Sequence, residues 1–266
     1  MRLFRAQTLT ALVAVLALLM TACGGDESGG NGDLGFETVT AGTLTVCTDS
    51  PYPPMEFEDP ETGEFTGFDI ELMRAVASNL GLELEVVNTG FDPITSGLAM
   101  EAGDCDIAAA SITITPERAE NIAFTDGYFS GDQSLLVLTD SGISSLSDLA
   151  GKSLAVQTGT TGEIYAQENA PEDTTIVSFE SPGDLFLALE SGQVAGVLQD
   201  LVPNGEYALA NESAILVETY PTEEKYGFAA KKEGTDALIA AVNEQIAALR
   251  ADGTYDDIYN EFFPTG

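Results

Sequence analysis

The stretch Ser111-Ile112-Thr113-Ile114-Thr115-Pro116-Glu117-Arg118 places three hydroxyls and a guanidinium close together in the chain. Side chains alternate along an extended segment, so Ser111, Thr113 and Thr115 leave one face and Ile112 and Ile114 the other. Hydroxyls donate or accept, and a guanidinium fork matches a carboxylate with two parallel hydrogen bonds. The pattern therefore suits the capture of a carboxylate. Thr115-Pro116-Glu117 predicts a helix start, which puts Arg118 in a first turn, where the dipole disfavours a cation by about 0.3–1 kcal/mol. The chain has 9 Lys+Arg against 44 Asp+Glu, so a cation placed there has two readings. It grips an anionic ligand, or it is a solvated arginine paired with Glu117 or Glu120. Gly159-Thr160-Thr161-Gly162 is a second candidate anion site, because a helix N-terminus presents free N–H groups. Its alternative is a Gly-rich turn with capping threonines.

Other chemistries are poorly served. The chain contains no His and no Trp, which excludes His-dependent triads and His-ligated zinc. Gly151-Lys152-Ser153 has the tail of a phosphate loop, but Leu146 occupies the position of the required glycine and the motif precedes a strand. Glu58-Asp59-Pro60-Glu61 reads as a solvated turn rather than a cation site. No cofactor and no metal are expected.

The elements that must position these residues follow an α/β pattern. Strands are predicted at Thr43 to Thr48, Leu82 to Asn88, Asp106 to Ala110, Leu135 to Leu138, Ser153 to Gln157, Thr175 to Phe179, Val194 to Leu198 and Tyr226 to Ala230. Glu58 to Glu64 reads as a hairpin turn. Asp69 to Leu80 is a helix with Ile70, Met73, Val76 and Leu80 on one face, stopped by Gly81. Helices also open at Asp92-Pro93 and near Gly162 and Gly183, and Asp236 to Arg250 turns Leu238, Val242, Ile246 and Leu249 toward a core. Two α/β groups with mainly parallel sheets, joined by two crossings, predict a two-lobed clamp with its site between the lobes.

The N-terminus reads as a targeting segment: Arg2 and Arg5, an apolar run from Leu9 to Met20, then Met20-Thr21-Ala22-Cys23. That tetrapeptide resembles a bacterial lipobox, which implies cleavage after residue 22 and a lipid on Cys23, tethering the protein to the membrane outside the cytoplasm. An ordinary cleaved secretory signal is the alternative. Removing residues 1–22 leaves 7 basic against 44 acidic residues, a net charge of −37. Nucleic acid is therefore a poor partner. Residues 23–41 read as a lipidated, flexible linker. Cys47 and Cys105 are the remaining thiols. Late in one strand and early in a parallel neighbour, they are expected to lie too far apart for a disulfide without a register shift.

Four motifs, in order, carry a resemblance covering roughly Gly42 to Phe263. They are Gly67-Phe68-Asp69-Ile70-Glu71-Leu72; Thr113 to Arg118 with Phe124-Thr125-Asp126-Gly127-Tyr128-Phe129; Val156-Gln157-Thr158-Gly159-Thr160-Thr161-Gly162; and Asp252-Gly253-Thr254-Tyr255. Together they resemble the extracellular solute-binding proteins of family 3, the amino-acid-binding components of bacterial uptake transporters, with glutamine and histidine/lysine binders as the nearest types. The resemblance implies a type II periplasmic-binding fold that closes on an L-amino acid and delivers it to an ABC permease, as a monomer. Lobe 1 would span 42–131 plus 221–266 and lobe 2 132–220, with hinges near Gly127 to Ser134 and Thr219 to Glu223.

Roles carry over residue by residue. Arg118 would bind the ligand's α-carboxylate, assisted by Ser111, Thr113, Thr160 and Thr161. Asp200, after Val197-Leu198-Gln199, would take the α-ammonium, although Gln193-Val194-Ala195-Gly196 departs slightly from the family pattern before it. Tyr52 and Phe91 match the aromatics that sandwich the side chain, and Asp49 and Gln157 match positions that read its far end. Glutamine binders carry Lys where this chain has Gln157, so the resemblance leaves the amino acid open, and Asp49 suits a cationic side chain equally well. Enzymes such as amino-acid dehydratases and receptor sensor modules share the folding pattern. No acid or base poised for catalysis stands out, so a binding protein is the expectation.

Overall fold

The structure is a computed structural model that describes residues 34–263. The expected signal segment 1–22, the expected lipidation site Cys23 and most of the expected linker lie outside the described residues. Among the described residues no helix is long and apolar enough to cross a membrane.

The first run of the chain comprises β1 (Thr43–Thr48), β2 (Phe57–Glu58), β3 (Phe65–Thr66), α1 (Phe68–Asn79), β4 (Glu83–Asn88), α2 (Phe91–Thr95), α3 (Leu98–Ala102), β5 (Ile107–Ala108), α4 (Arg118–Asn121) and β6 (Ile122–Phe124). The second comprises β7 (Phe129–Leu138), β8 (Ser153–Gln157), α5 (Thr161–Asn169), β9 (Thr175–Phe179), α6 (Pro182–Glu190), β10 (Gly196–Asp200), α7 (Leu201–Ala210) and β11 (Ala214–Tyr226). The chain then returns to the first group with β12 (Ala229–Lys231), α8 (Asp236–Asp252) and α9 (Thr254–Phe262).

Two five-stranded sheets result, ordered β4-β1-β5-β12-β6 and β11-β7-β10-β8-β9. In the first, β1 is parallel to β4 and β5, whereas the returning β12 is antiparallel to β5 and β6. In the second, β8 is parallel to β9 and β10, whereas β7 is antiparallel to β10 and β11. The parallel pairings are the α/β units read from the sequence. The antiparallel ones arise where the chain crosses between lobes and returns. The two crossings are β7 and β11, which pair with each other from Phe129↔Tyr226 to Leu138↔Ala214, with register shifts between Leu216 and Glu218 and between Tyr220 and Glu224. Glu223 sits in the second irregularity with φ of 53°.

The first lobe packs a core over each face of its sheet. Phe68, Leu72, Met73 and Val76 of α1 meet Leu44 and Val46 of β1 and the α8 stripe Leu238, Val242, Ile246 and Leu249. Burying each such side chain is worth about 1.5–3 kcal/mol, so the apolar stripes read from the sequence fix both helices. Gly67 is required at the start of α1, since a Cβ there would lie 2.3 Å from the Met55 carbonyl oxygen. The second face holds Ile94, Ile112, Cys47 and Cys105.

Contrary to the expectation from strand register, Cys47 and Cys105 form a disulfide, with Cα atoms 5.7 Å apart. Cys105 is not in a strand. It lies in irregular backbone before a bend at Asp106, and β5 begins only at Ile107, so the parallel register that would separate the two residues does not apply.

Candidate ligand-binding cleft

The candidate residues converge at the C-terminal ends of parallel strands from both sheets, the edge where open α/β sheets bind ligands. Asp49 follows β1, Phe91 opens α2 after β4, Ser111 and Thr113 follow β5, Gln157 ends β8 and Asp200 ends β10. All of the expected contacts, with Tyr52, Arg118, Thr160 and Thr161, line one cavity between the lobes. It encloses about 390 Å³, mouth included. Hydrogen bonds span the cleft between the two groups of elements, from Arg118 to the Gly159 carbonyl and from Gln157 to Asp49.

Ser111 adopts a left-handed φ of 49°, a conformation that costs a non-glycine residue about 1–3 kcal/mol unless its surroundings hold it. The holder is Asp69, from the first turn of α1. Its buried carboxylate accepts the Ser111 N–H at 3.0 Å and the Tyr128 hydroxyl at 2.6 Å. Burial pushes the Asp69 carboxyl well up, and those two donors oppose the shift. The Asp of the Gly67-Phe68-Asp69 motif is thus a strut that aims the strand end into the cleft.

The three hydroxyls do not stay together. Ser111 and Thr113 line the cavity, but Thr115 turns away and accepts the Arg118 N–H at 3.1 Å, because the extended segment ends there. The helix that follows, α4, is a single turn of four residues with Glu117 at its N-cap. Its dipole is correspondingly slight, which removes most of the penalty expected for Arg118. Arg118 is no solvated surface residue: it is 8% exposed. Its Nη1 donates to the Thr113 carbonyl at 2.8 Å and Nη2 to the Gly159 carbonyl at 3.0 Å across the cleft, and its Cζ lies 5.0 Å over the Phe91 ring. Two of five N–H donors are used, and neither Glu117 nor Glu120 pairs with it among the described residues.

In the second lobe, Thr160 is the N-cap of α5 and accepts the Glu163 N–H at 3.1 Å, so the capping reading holds while Thr160, Thr161 and Gly162 also line the cavity. Asp200 occupies the N-cap of α7 but makes no capping bond. Its carboxylate accepts from the hydroxyls of Tyr52, at 2.9 Å from the other lobe, and Tyr226, and from Gln133. Burial and the nearby Glu224 carboxylate push the Asp200 carboxyl up to about 6, against those donors. Asp49 accepts from Gln157 at 2.6 Å across the cleft, and burial raises it to about 6.

Several participants were not legible in the sequence. Glu56 and Gln199 line the cavity. Glu224, on the β11 crossing, accepts from Thr113 at 2.6 Å, Thr161 at 2.7 Å and Gln133 at 3.2 Å, joining both lobes and the other crossing. Gln199 carried a usable signal, since it precedes Asp200 at a strand end. Glu56, Gln133 and Glu224 carried none against so acidic and polar a background.

Comparison with known proteins agrees with this geometry. Residues 44–265 match the profile of the bacterial extracellular solute-binding proteins, family 3. The chain is 33% identical to the ABC transporter glutamine-binding protein of Bacillus subtilis (strain 168), over 95% of each. It is 30% identical to ABC transporter arginine-binding protein 1 of Escherichia coli (strain K12), over 86% of this chain and 94% of that one. A crystal structure of an ancestral amino acid-binding protein, described as a precursor of cyclohexadienyl dehydratase, superposes with a TM-score of 0.77 at 37% identity over 84% of this chain and 96% of that one. The chain belongs to the bacterial extracellular solute-binding proteins, family 3.

Proposed function

We propose that this protein is an extracytoplasmic lipoprotein that captures a polar L-amino acid between its lobes and delivers it to an ABC importer in the membrane. The observation that carries the reading is charge separation. Arg118 from one lobe and Asp200 from the other are both buried and face one cavity, as the two ends of a zwitterion require. The ligand's carboxylate takes the unused Arg118 N–H groups with support from the α5 N-terminus, and its ammonium is received by Asp200. Tyr52 and Phe91 flank the side chain, with Asp49 and Gln157 beyond.

In this reading the lobes span 42–131 plus 221–266 and 132–220, and they close by bending near Gly127 to Ser134 and Thr219 to Glu223. Ligand shifts the population toward closure because only the closed form brings both charges to it. Cys23 carries the anchoring lipid, and the protein acts as a monomer. The relatives named for glutamine and arginine support an amino acid as cargo.

Titration calorimetry over the common L-amino acids tests the proposal, with sugars and dicarboxylates as controls. One-to-one binding of at least one L-amino acid is expected, with the ligand recovered unchanged. Silence of the whole amino-acid panel defeats the reading. Conversion of the ligand would favour an enzyme, the case raised by the dehydratase precursor on the same fold.

A further inference from the structure

Resting on the amino-acid reading and narrowing it, we propose that the ligand carries a cationic side chain, a guanidinium or an ammonium, held by Asp49, Glu56 and Gln199. Once Arg118 and Asp200 are assigned to the ligand's backbone groups, the hydrogen-bonding capacity left in the cavity is all of one kind. Asp49 is 6% exposed and, among the described residues, takes a bond from Gln157 alone. Glu56 is 1% exposed and its carboxyl, among the described residues, takes a bond from the Ser111 hydroxyl alone, at 3.2 Å. Two buried carboxylates therefore keep most of their acceptor sites open.

Gln199 adds an independent acceptor, and its orientation is fixed by a chain of bonds. The Asn204 Nδ2 reaches the carbonyl oxygens of Ser134 at 3.3 Å and Val197 at 3.5 Å, which only accept. Asn204 Oδ1 must then be the atom facing Gln199, and it receives Gln199 Nε2 at 2.9 Å. This leaves Gln199 Oε1 buried in the cavity wall with no partner among the described residues. An unpaired buried acceptor calls for a donor. The Gln133 Oε1 is also unpartnered, but it packs on Gly162 and Gln133 does not line the cavity.

Charge points the same way. Among the described residues no Lys or Arg other than Arg118 lines the cavity. Arg74 pairs with Glu71 and Lys231 with Glu101, while Lys225, Lys232 and Arg250 bond Ser130, the Ala119 carbonyl and the Tyr128 carbonyl. A zwitterion with a neutral side chain matches Arg118 and Asp200 and brings no cation to Asp49 and Glu56, whose carboxyls burial otherwise drives toward the neutral form. An amide side chain would also press an acceptor oxygen into a set of acceptors. A guanidinium offers five donors and an ammonium three, with no acceptor in either.

The test titrates the purified protein at neutral pH with L-arginine, L-lysine, L-glutamine and L-citrulline, the last a neutral near-isostere of arginine. Arginine or lysine is expected to bind at least about 30-fold more tightly than citrulline and glutamine, a threshold well inside the roughly 10⁴-fold by which sites reject ligands that leave their buried polar groups unpaired. Asp49→Asn should weaken the cationic ligand by about tenfold or more and citrulline far less, whereas a general loss of structure would weaken both alike. Citrulline or glutamine binding as tightly as the better cationic ligand overturns this inference and leaves the amino-acid reading standing. If no L-amino acid binds, both fall.

Discussion

The acids on the outer surface and those in the cleft live under opposite conditions. Asp59 accepts backbone N–H groups from Thr62 at 2.8 Å and Glu61 at 2.9 Å, Asp148 from Ser144 at 2.9 Å and Ser145 at 3.0 Å, and Asp252 from Thr254 at 2.9 Å. These local donors hold all three carboxyls below their ordinary range. In the cleft, burial drives Asp49, Glu56 and Asp200 the other way. Their donors are side chains, and two of these, Tyr52 for Asp200 and Gln157 for Asp49, reach over from the opposite lobe. A surface acid is satisfied by its own turn, so it stabilises that turn. Asp49, and Asp200 in part, take their donors from across the cleft, so in the proposed reading they make closure and binding depend on each other.

The largest expected effect lies at the one cation on the cleft side of this comparison. Burial lowers the Arg118 pKa, and Asp200, Glu224 and Glu117 oppose that shift. Arg118→Ala should weaken binding of the best ligand by about 3–5 kcal/mol, a factor above roughly 100, because ligand carboxylate and cleft acids lose their only positive partner. A loss below about tenfold in calorimetry would break the assignment of Arg118 to the ligand.

Asp49 sharpens the comparison through stability. Its carboxyl is raised from 3.8 to about 6 in the folded protein, so the folded state binds the proton more strongly than the unfolded chain. The resulting stabilisation is complete below pH about 4 and is lost as pH rises through about 6, up to an order of 3 kcal/mol. Ligand-free protein should therefore gain urea resistance between neutral pH and pH about 4.5 from this group and from Asp200, raised over the same window. Asp49→Asn should be more stable than the native chain at neutral pH and no more stable below pH about 4. Equal effects at both pH values would mean that Asp49 is not desolvated.

The same contrast explains what the sequence could and could not disclose. Apolar periodicity is local, so β1, β8 and β9 fall at the expected residues and α1 and α8 within two of them. The α7 helix was hidden by Pro203 and Gly205, yet Pro203 sits in the first turn, where its missing N–H forfeits no bond. Site residues were legible where a strand end or a family motif marked them, as at Arg118, Thr160 and Asp200. Gln133 and Glu224 lie on crossings whose polar side chains become buried only where both lobes meet. That meeting is a property of tertiary closure, as is the bend that brings Cys105 to Cys47.

Glu224 stands between the two regions, and its replacement should have a smaller effect. Its carboxylate receives hydroxyls from Thr113 and Thr161, one from each lobe. Glu224→Gln keeps the shape and weakens charge-assisted bonds, for an expected loss of about 1 kcal/mol from the closed form. Small-angle scattering should then show a larger ligand-free radius that returns to the native value at saturating ligand. An unchanged ligand-free radius would show that Glu224 does not hold the lobes together.

The smallest effect belongs to the surface. Asp148 closes a capping box with Ser145 at the 3-10 turn Leu146–Leu149, and it also receives the Ser144 N–H and hydroxyl. Because these partners are its immediate neighbours in the chain, Asp148→Ala should lower the thermal midpoint slightly and leave ligand affinity unchanged. Its carboxyl is held below the ordinary range by those donors, so the native chain's advantage over the variant is present at neutral pH and disappears as acid protonates the group, opposite in sign to Asp49. A change in affinity in Asp148→Ala would mean that surface acids also feel closure, and the division between locally satisfied and closure-dependent acids would fail.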